Sequence, residues 1–252
     1  MNALLLSAGL GTRLRPITNS KPKALVEIAG RTLLDINIEN LVNHGFTTIV
    51  VNVHHHAQLI IDHLKRTSYQ AEIIISDETQ LLMDTGGAIW HAQQYLKDGG
   101  PFLVHNVDII SNIDISHLYS VHCSNNPLAT LAVAHRQSSR KLLFNSDMCL
   151  CGWRDARSDE IIIHCGIDCY DEYAFSGIHV ISPAIFEMMA HNGGAPFSII
   201  REYLVQCIDN KIYGVEFPQN QLLDVGTPER LHEAEKFLSS IKCVKKSSNV
   251  TH

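Results

Sequence analysis

Apolar residues in the first half of the chain alternate between short runs and helical spacings. Runs rich in aliphatic and β-branched residues occupy positions 3–7, 47–53, 71–76, 101–105 and 128–135, and they predict strands. Helical spacing separates them at positions 32–43, 57–66, 87–97 and 114–123, the last with Asp114 as its N-cap. This alternation is typical of an α/β fold, so we predict a Rossmann-like, mostly parallel sheet covered by helices on both faces.

The pattern is less regular in the second half. Residues 136–173 predict hairpins, with turn signals at 145–147 and 155–158. A strand follows at 174–181, then helices at 183–190 and 198–209, an extended segment at 211–216, and a helix at 228–238 that begins after Thr227. We therefore predict one domain over residues 1–240 and a polar, disordered tail over residues 241–252.

Composition and charge narrow the possible partners. The chain has 252 residues, 45% of them hydrophobic, and a net charge of -6. An acidic balance argues against nonspecific nucleic-acid binding, which needs a basic face. The apolar start is too short for a signal peptide or a membrane span, and the seven cysteines, without a CxxC pair, suggest reduced thiols. We expect a soluble, cytoplasmic protein with no nucleic-acid or membrane partner.

A glycine-rich segment, SAGLGTRLRP at residues 7–16, follows the first predicted strand. Glycines let main-chain amides approach a polyphosphate closely. Arg13 and, further along, Lys23 in the sequence PKAL add a guanidinium and an ammonium that suit phosphate oxygens. No Walker motif is present, and Leu14 replaces the third glycine of a dinucleotide fingerprint, which disfavours a dehydrogenase.

Two acidic residues stand where an α/β sheet places its ligand site. Asp108 follows an apolar strand, and Asp224 precedes the last predicted helix. The ligand of such a sheet lies beyond the carboxyl ends of the strands. Carboxylates from distant parts of a chain can meet at one Mg²⁺, which takes one or two carboxylates together with phosphates and water. Taken alone, each aspartate could equally cap a turn.

The loop motif, with Pro16, Thr18, Pro22, Lys23 and Gly30, resembles the signature of the sugar-1-phosphate nucleotidylyltransferases, or NDP-sugar pyrophosphorylases. The resemblance continues to about residue 238, and the pair GW at residues 152–153 is similar to subfamilies that act on N-acetylmuramate, mannose or heptose 1-phosphate. It implies an Mg²⁺-dependent enzyme that makes an NDP-sugar and pyrophosphate from a nucleoside triphosphate (NTP) and a sugar 1-phosphate. Such products are precursors of cell walls or polysaccharides.

The resemblance also implies a set of site residues. Catalytic roles fall on Arg13 and Lys23, and nucleotide binding on Ala8, Gly9, Gly11, Thr12, Asp84, Gly86 and Gly87. Substrate binding falls on Asn106, Arg140, Ser176 and Gly177, and metal binding on Asp108 and Asp224.

The chain departs from the family pattern where many members have Glu-Lys-Pro with a phosphate-binding lysine. Residues 160–168 contain no Lys or Arg, and Arg136 and Arg140 are the candidates to replace that charge. Two other readings stay open: a non-catalytic nucleotide-sugar sensor on the same fold, and a cytidylyltransferase that acts on an alcohol phosphate such as phosphocholine. The base, the sugar and the oligomeric state are left open.

Overall fold

The computed structural model of the protein describes residues 1–164, 169–192 and 194–248. The strands are β1 (Asn2–Leu6), β2 (Glu27–Ile28), β3 (Arg31–Thr32), β4 (Thr48–Val53), β5 (Glu72–Asp77), β6 (Phe102–Asn106), β7 (Ile109–Ser111), β8 (Ala129–Ala134), β9 (Arg140–Phe144), β10 (Leu150–Asp155), β11 (Glu160–Ile163), β12 (Asp171–Ile181), β13 (Ile212–Glu216) and β14 (Leu222–Asp224). The helices are α1 (Leu33–Asn43), α2 (Ala57–Arg66), α3 (Asp84–His91), α4 (Gln93–Leu96), α5 (Ile115–Asn125), α6 (Ile185–Met188), α7 (Ile199–Gln206) and α8 (Pro228–Ser248), with 3₁₀ turns at Thr12–Leu14, Ile17–Asn19, Lys23–Leu25, Met189–Asn192 and Gln219–Gln221.

The main sheet has a parallel core and an antiparallel extension. Strand β1 pairs in parallel with β4 and β6, and β4 pairs in parallel with β5. Strand β12 then enters antiparallel between β6 and β8, and its first half also pairs with β9, which continues the sheet through β10 to β11. The predicted α/β fold is confirmed, and the sheet is mixed because β12 returns in the opposite direction after the hairpins.

Helices cover both faces of the sheet. On β1, Ala3 and Leu5 pack into a core formed with α1, α2, α5 and α8, whereas Leu4 packs into a second core formed with α3, α4, α6 and α7. All three side chains are 0% exposed. Because successive strand residues point to opposite faces, a continuous apolar run indicates a strand buried on both sides. Each buried leucine contributes about 1.5–3 kcal/mol.

Side chains cap the first turns of two helices, and the cap at Asp114 was predicted. Thr32 Oγ1 accepts from the Asp35 amide at 3.0 Å at the start of α1, and Asp114 Oδ1 accepts from the His117 amide at 2.9 Å at the start of α5. The predicted helix at 87–97 begins earlier, at Asp84, and a turn at Ala92 divides it into α3 and α4.

The last helix is longer than the sequence pattern predicts. It continues to Ser248, into the segment that we expected to be a disordered tail, while residues 249–252 lie outside the described residues. Whether the domain ends at residue 240 stays a prediction. Within the described ranges, no helix is long and apolar enough to cross a membrane.

A small ribbon that we did not predict lies beside the end of β6. Strand β7 pairs antiparallel with β14, so that Asp224 stands opposite Ile109. The amide of Val225 donates to the carbonyl oxygen of Asp108 at 2.8 Å. The ribbon therefore brings two distant parts of the chain to the carboxyl end of the parallel core.

Candidate active site

The glycine-rich loop leaves β1 and turns back over the end of the sheet. Gly11 has a φ of 61° at the start of the Thr12–Leu14 turn, a conformation that glycine adopts without strain. A Cβ on Gly11 would lie 2.9 Å from Thr18 Cγ2 and 3.2 Å from Lys23 Cβ. The hydroxyl of Thr18 donates to the Gly11 carbonyl at 2.8 Å. The loop is thus packed tightly against the segment that carries Lys23.

Lys23 and Asp108 form an ion pair at the bottom of the site. Lys23 Nζ lies 2.5 Å from Asp108 Oδ2, and the two side chains are 9% and 23% exposed. An ammonium with so little access to water needs a charged partner, and Asp108 supplies it. The pair joins the loop region to the end of β6.

Asp224 lies close to this pair through the β7–β14 ribbon. Its Oδ1 atom is buried and has no hydrogen-bond partner within the described ranges. Gly226 follows, and a Cβ there would lie 2.8 Å from Asp224 Oδ1 and 2.8 Å from Arg13 Nη2. The absence of a side chain at Gly226 therefore leaves room for both the Arg13 guanidinium and the Asp224 carboxylate beside it.

The carboxylates of Asp108 and Asp224 could hold a divalent cation. A buried carboxylate oxygen without a donor, such as Asp224 Oδ1, is the kind of group that a hard cation satisfies. In the described part of the chain, no cluster of three or more His, Cys, Asp or Glu residues suits a metal. The two aspartates match the sparse protein ligation of Mg²⁺, which keeps phosphates and water as its other ligands.

One cavity of about 520 Å³ brings the glycine-rich loop, Lys23 and Asp108 together, while Asp224 lines a different cavity. Of the predicted site residues, the first cavity is lined by Ala8, Gly9, Gly11, Thr12, Arg13, Lys23, Asp84, Asn106 and Asp108. A Cβ on Gly9 would have no heavy atom within 4 Å, so the loop is open to the cavity there. The volume lies in the range of small-molecule sites.

Gly86 and Gly87 have a structural partner, and their binding of the nucleotide stays a prediction. We expected their amides to face the nucleotide, but both donate to the carbonyl oxygen of Phe197, at 2.8 and 3.3 Å. A Cβ on Gly86 would lie 2.3 Å from the Phe197 ring. Both glycines are buried and allow α3 to pack against the segment before α7. Asp84, which begins α3, lines the cavity.

A second cavity of about 560 Å³ opens beside the first. The two share Leu6, Asp84, Thr85 and Asn106 as lining residues, so they form one continuous cleft. Arg140 lines the second cavity, and its Nε lies 3.2 Å from Asp155 Oδ2. Arg157 also binds this carboxylate.

Ser176 and Gly177 lie on β12 where its pairing with β8 shifts register. Gly177 has a φ of 74°, and a Cβ there would lie 2.8 Å from Asn106 Nδ2, so the glycine makes room for the Asn106 amide. Ser176 faces a third cavity, of about 580 Å³, which it shares with Asp224 and Arg136. Its hydroxyl is buried without a partner among the described residues.

Arg136 lies nearer to the predicted metal ligands than Arg140 does. Its Nη2 donates to the Phe175 carbonyl at 2.9 Å, and the residue shares a cavity with Asp224. Burial lowers the pKa of Arg136, while the nearby Asp224 carboxylate opposes that shift. The guanidinium keeps its charge, because even a lowered arginine pKa stays far above neutrality.

Eight lining residues are not among the predicted site residues: Leu6, Asn52, Glu78, Leu82, Thr85, Ala88, Val107 and Gly226. Asn52 could have been found, because a polar side chain at the carboxyl end of a buried parallel strand faces the ligand edge. Glu78 is 3% exposed, and burial raises the pKa of its carboxyl group. Nothing in its local sequence distinguishes it from a surface acid.

The fold and this cleft define a class of α/β protein in which a glycine-rich loop, a lysine and two aspartates meet at the carboxyl end of a parallel core. Comparison with known proteins gives the family. The family model described as "Nucleotidyl transferase" matches residues 2–142, and the chain belongs to this family. The resemblance inferred from the loop motif is confirmed.

Similar proteins act on sugar 1-phosphates by name. The chain is 33% identical to N-acetylmuramate alpha-1-phosphate uridylyltransferase of Caulobacter vibrioides, over 94% of this chain and 96% of that protein. It is 26% identical to mannose-1-phosphate guanyltransferase of Yarrowia lipolytica, over 91% of this chain but only 61% of that protein.

Solved structures share the fold. HddC from Yersinia pseudotuberculosis superposes with a TM-score of 0.74 at 22% identity, over 93% of this chain and 98% of that one. Apo UDP-glucose pyrophosphorylase superposes with a TM-score of 0.75 at 17% identity, over 96% of this chain and 98% of that one. These likenesses confirm the nucleotide-diphospho-sugar transferase fold expected from the sequence.

Proposed function

We propose that the protein transfers a nucleotidyl group from an NTP to a sugar 1-phosphate, giving an NDP-sugar and pyrophosphate. The observation that carries the proposal is the convergence of the glycine-rich loop and the Lys23–Asp108 ion pair in one cavity at the carboxyl end of the parallel core, with Asp224 joined to Asp108 through the β7–β14 ribbon. The names of the uridylyl- and guanylyltransferase relatives support the substrate class.

The proposed reaction is an in-line displacement at the α-phosphorus. An oxygen of the acceptor phosphate forms a bond to the α-phosphorus while the bond to the oxygen that bridges to the β-phosphate breaks. Pyrophosphate leaves with that electron pair. Because the acceptor phosphate is already ionised at neutral pH, no general base is required, and catalysis rests on positioning and charge neutralisation.

On the nucleotide side, the amides of Gly9, Gly11 and Thr12, together with Ala8, would cradle the polyphosphate. Arg13 would bind the β- and γ-phosphates. Lys23 would exchange Asp108 for an oxygen of the α-phosphoryl group and neutralise its developing charge. Asp84 lines the cavity at the start of α3 and would contact the nucleoside.

Asp108 and Asp224 would hold Mg²⁺, which supplies charge neutralisation at the phosphates. On the acceptor side, Asn106 and Arg140 would bind the sugar phosphate in the second cavity, while Gly177 would make room for the Asn106 amide and Ser176 would line the third cavity. Arg136, which shares the third cavity with Asp224, is the alternative to Arg140 as the arginine that meets the acceptor phosphate. A cytoplasmic role in cell-wall or polysaccharide precursor synthesis belongs to the same proposal.

The test measures pyrophosphate release from UTP, GTP, CTP and dTTP with Mg²⁺, each against sugar 1-phosphates and alcohol phosphates. We expect release with one nucleotide and one sugar 1-phosphate, abolished by EDTA. Release only with CTP and an alcohol phosphate would replace the proposal with the cytidylyltransferase reading. Nucleotide binding without release for any pair would favour the non-catalytic sensor.

A further inference from the structure

Asn52 connects the two segments that face each other across the nucleotide cavity. It lies on β4, beside Leu6 of β1 in the parallel pairing. Its Oδ1 accepts from the amide of Ser7 at 2.6 Å and from the amide of Ala8 at 3.3 Å, at the start of the glycine-rich loop. Its Nδ2 donates to Glu78 Oε1 at 2.9 Å.

Glu78 carries this connection into the segment between β5 and α3. Its Oε2 accepts from the amide of Met83 at 3.4 Å, and its carbonyl oxygen lies 2.6 Å from His54 Nδ1. Asn52 and Glu78 are 2% and 3% exposed, yet both line the nucleotide cavity. We call the two side chains and their four hydrogen bonds the Asn52–Glu78 clasp.

The orientation of the Asn52 amide follows from its partners. Two backbone N–H groups point at one of its terminal atoms, which must be the oxygen, so the nitrogen faces the Glu78 carboxylate. A buried carboxylate is costly without donors, and the clasp provides two. If one of these four hydrogen bonds is lost, a buried polar group is left without a partner. The backbone must then shift before that group can pair again.

We propose that Asn52 and Glu78 are positioning residues for the NTP: the clasp sets the separation between the glycine-rich loop and residues 78–83, and thereby the site in which the nucleotide lies. The inference rests on the proposed function. It assigns both side chains an effect on nucleotide binding and none on the acceptor side, because Arg140 and the second cavity share no hydrogen bond with the clasp.

The most informative variant is Asn52→Asp. One oxygen of the new carboxylate can still accept hydrogen bonds from the amides of Ser7 and Ala8. The other oxygen faces the Glu78 carboxylate, and no hydrogen bond forms between the two unless one of them is protonated. We expect the KM for the NTP to rise about tenfold or more at pH 8, because one hydrogen bond is lost and one buried polar group is left unpaired. The KM for the sugar 1-phosphate should stay within about twofold of the wild-type value.

The same variant has a signature that general damage to the fold would not produce. In the variant, the new carboxylate at position 52 and that of Glu78 are adjacent, and such a pair holds one shared proton at a pH well above the usual pKa of either group. That proton restores the hydrogen bond between residues 52 and 78. The ratio of the variant KM to the wild-type KM for the NTP should therefore fall as the pH is lowered from about 8 to about 6. His54 and His91, the other titratable groups near Glu78, are present in both proteins and cancel in the ratio.

Two control variants separate positioning from stability. Ser76 is 1% exposed, pairs beside Asn52 in the sheet and has a hydroxyl without a partner in the described chain, so Ser76→Ala should leave both KM values unchanged. Thr130→Val removes the buried Thr130–His122 hydrogen bond far from the cavity. It should lower the Tm without changing the KM for the NTP.

Glu78→Gln should raise the KM for the NTP as Asn52→Asp does, but without the pH-dependent recovery. An unchanged KM in both variants, or an equal rise in the KM for both substrates, would overturn the inference. A wild-type protein that releases no pyrophosphate from any substrate pair would instead overturn the proposed function. In that case, direct titration with UTP and GTP still tests the clasp, because both variants should weaken nucleotide binding.

Discussion

Lys23 and Asp108 depend on each other more than any other charged pair near the cleft. Both side chains are largely buried, and each is the charged partner of the other at 2.5 Å. A change at either residue leaves an opposite charge with little access to water, which costs more than the pair contributes. Substitutions here should therefore affect catalysis and the local structure together, and the same substitution at a distant residue is needed as a control.

Asp108→Asn keeps the shape of the side chain and removes its charge. We expect turnover to fall by at least ~10²-fold, the scale for the loss of one charged group at a phosphoryl-transfer site. The measurement is pyrophosphate release at saturating substrates. Asp62→Asn makes the same change on α2, where Asp62 bonds only to its own helix, and should leave turnover unchanged. A rate for Asp108→Asn within about threefold of wild type would remove Asp108 from the mechanism.

Gly226→Ala tests the packing of Arg13 and Asp224 around Gly226. The new Cβ would lie 2.8 Å from both Arg13 Nη2 and Asp224 Oδ1, so at least one of the two must move. We expect kcat/KM to fall about tenfold, because a small displacement of positioned groups is costly in catalysis. The Tm should change little, since the clash involves side-chain ends. Lower activity that only tracked a lower Tm would contradict this reading.

The helices and strands that could be predicted from the sequence are those whose hydrophobic pattern or capping residue lies within the element itself. Strands β1, β4 and β6 have continuous apolar runs because both faces are covered, and α1 and α5 begin at residues whose side chains cap them. The β7–β14 ribbon could not be predicted, because each strand has only three residues and its pairing joins distant segments. Asp108 and Asp224 are predicted as metal ligands from their motifs alone, without knowledge of this ribbon.

The packing of Gly86 and Gly87 against a distant segment could not be predicted either. Gly86 and Gly87 were assigned to the nucleotide because glycines at a helix start can present amides to an anion. The same property lets a second segment of the chain use those amides, and Phe197 does so. A single sequence cannot distinguish the two uses, because the partner is more than one hundred residues away along the chain.

Gly86→Ala should therefore destabilise the packing of α3. Its Cβ would lie 2.3 Å and 2.5 Å from ring atoms of Phe197, and overpacking of this kind costs about 1–3 kcal/mol. The measurement is urea unfolding. The same substitution in a Phe197→Ala background should cost less, since the ring is gone, although the carbonyl contact at 2.9 Å remains. Equal costs in the two backgrounds would show that the ring does not limit the site.

At the scale of the whole molecule, buried histidines should make the fold acid-sensitive. Burial lowers the pKa of His105 and His122 to about 4 and that of His179 to about 3. Between these values and the ordinary value near 6.5, the unfolded chain binds protons that the folded chain does not. The free energy of unfolding should therefore fall as the pH drops through this window.

Urea unfolding at several pH values tests that expectation. His122→Gln should reduce the slope of stability against pH by about one proton, because His122 lies in the core and bonds to Thr130. His232→Gln, at a histidine whose side chain is 72% exposed, should leave the slope unchanged. A slope that is the same in all three proteins would contradict the assignment to buried histidines.

The Lys23–Asp108 ion pair also has a consequence for the order in which ligands arrive. With Lys23 in place, Asp108 already has a cation, so a free divalent ion must compete with a tethered one. A triphosphate removes this competition by giving Lys23 another anion. We therefore expect Mg²⁺ alone to bind wild type more weakly than it binds Lys23→Ala in calorimetry, and this difference to shrink once NTP is present. The resting enzyme would then hold an internal counter-ion, and nucleotide and metal would enter as one complex.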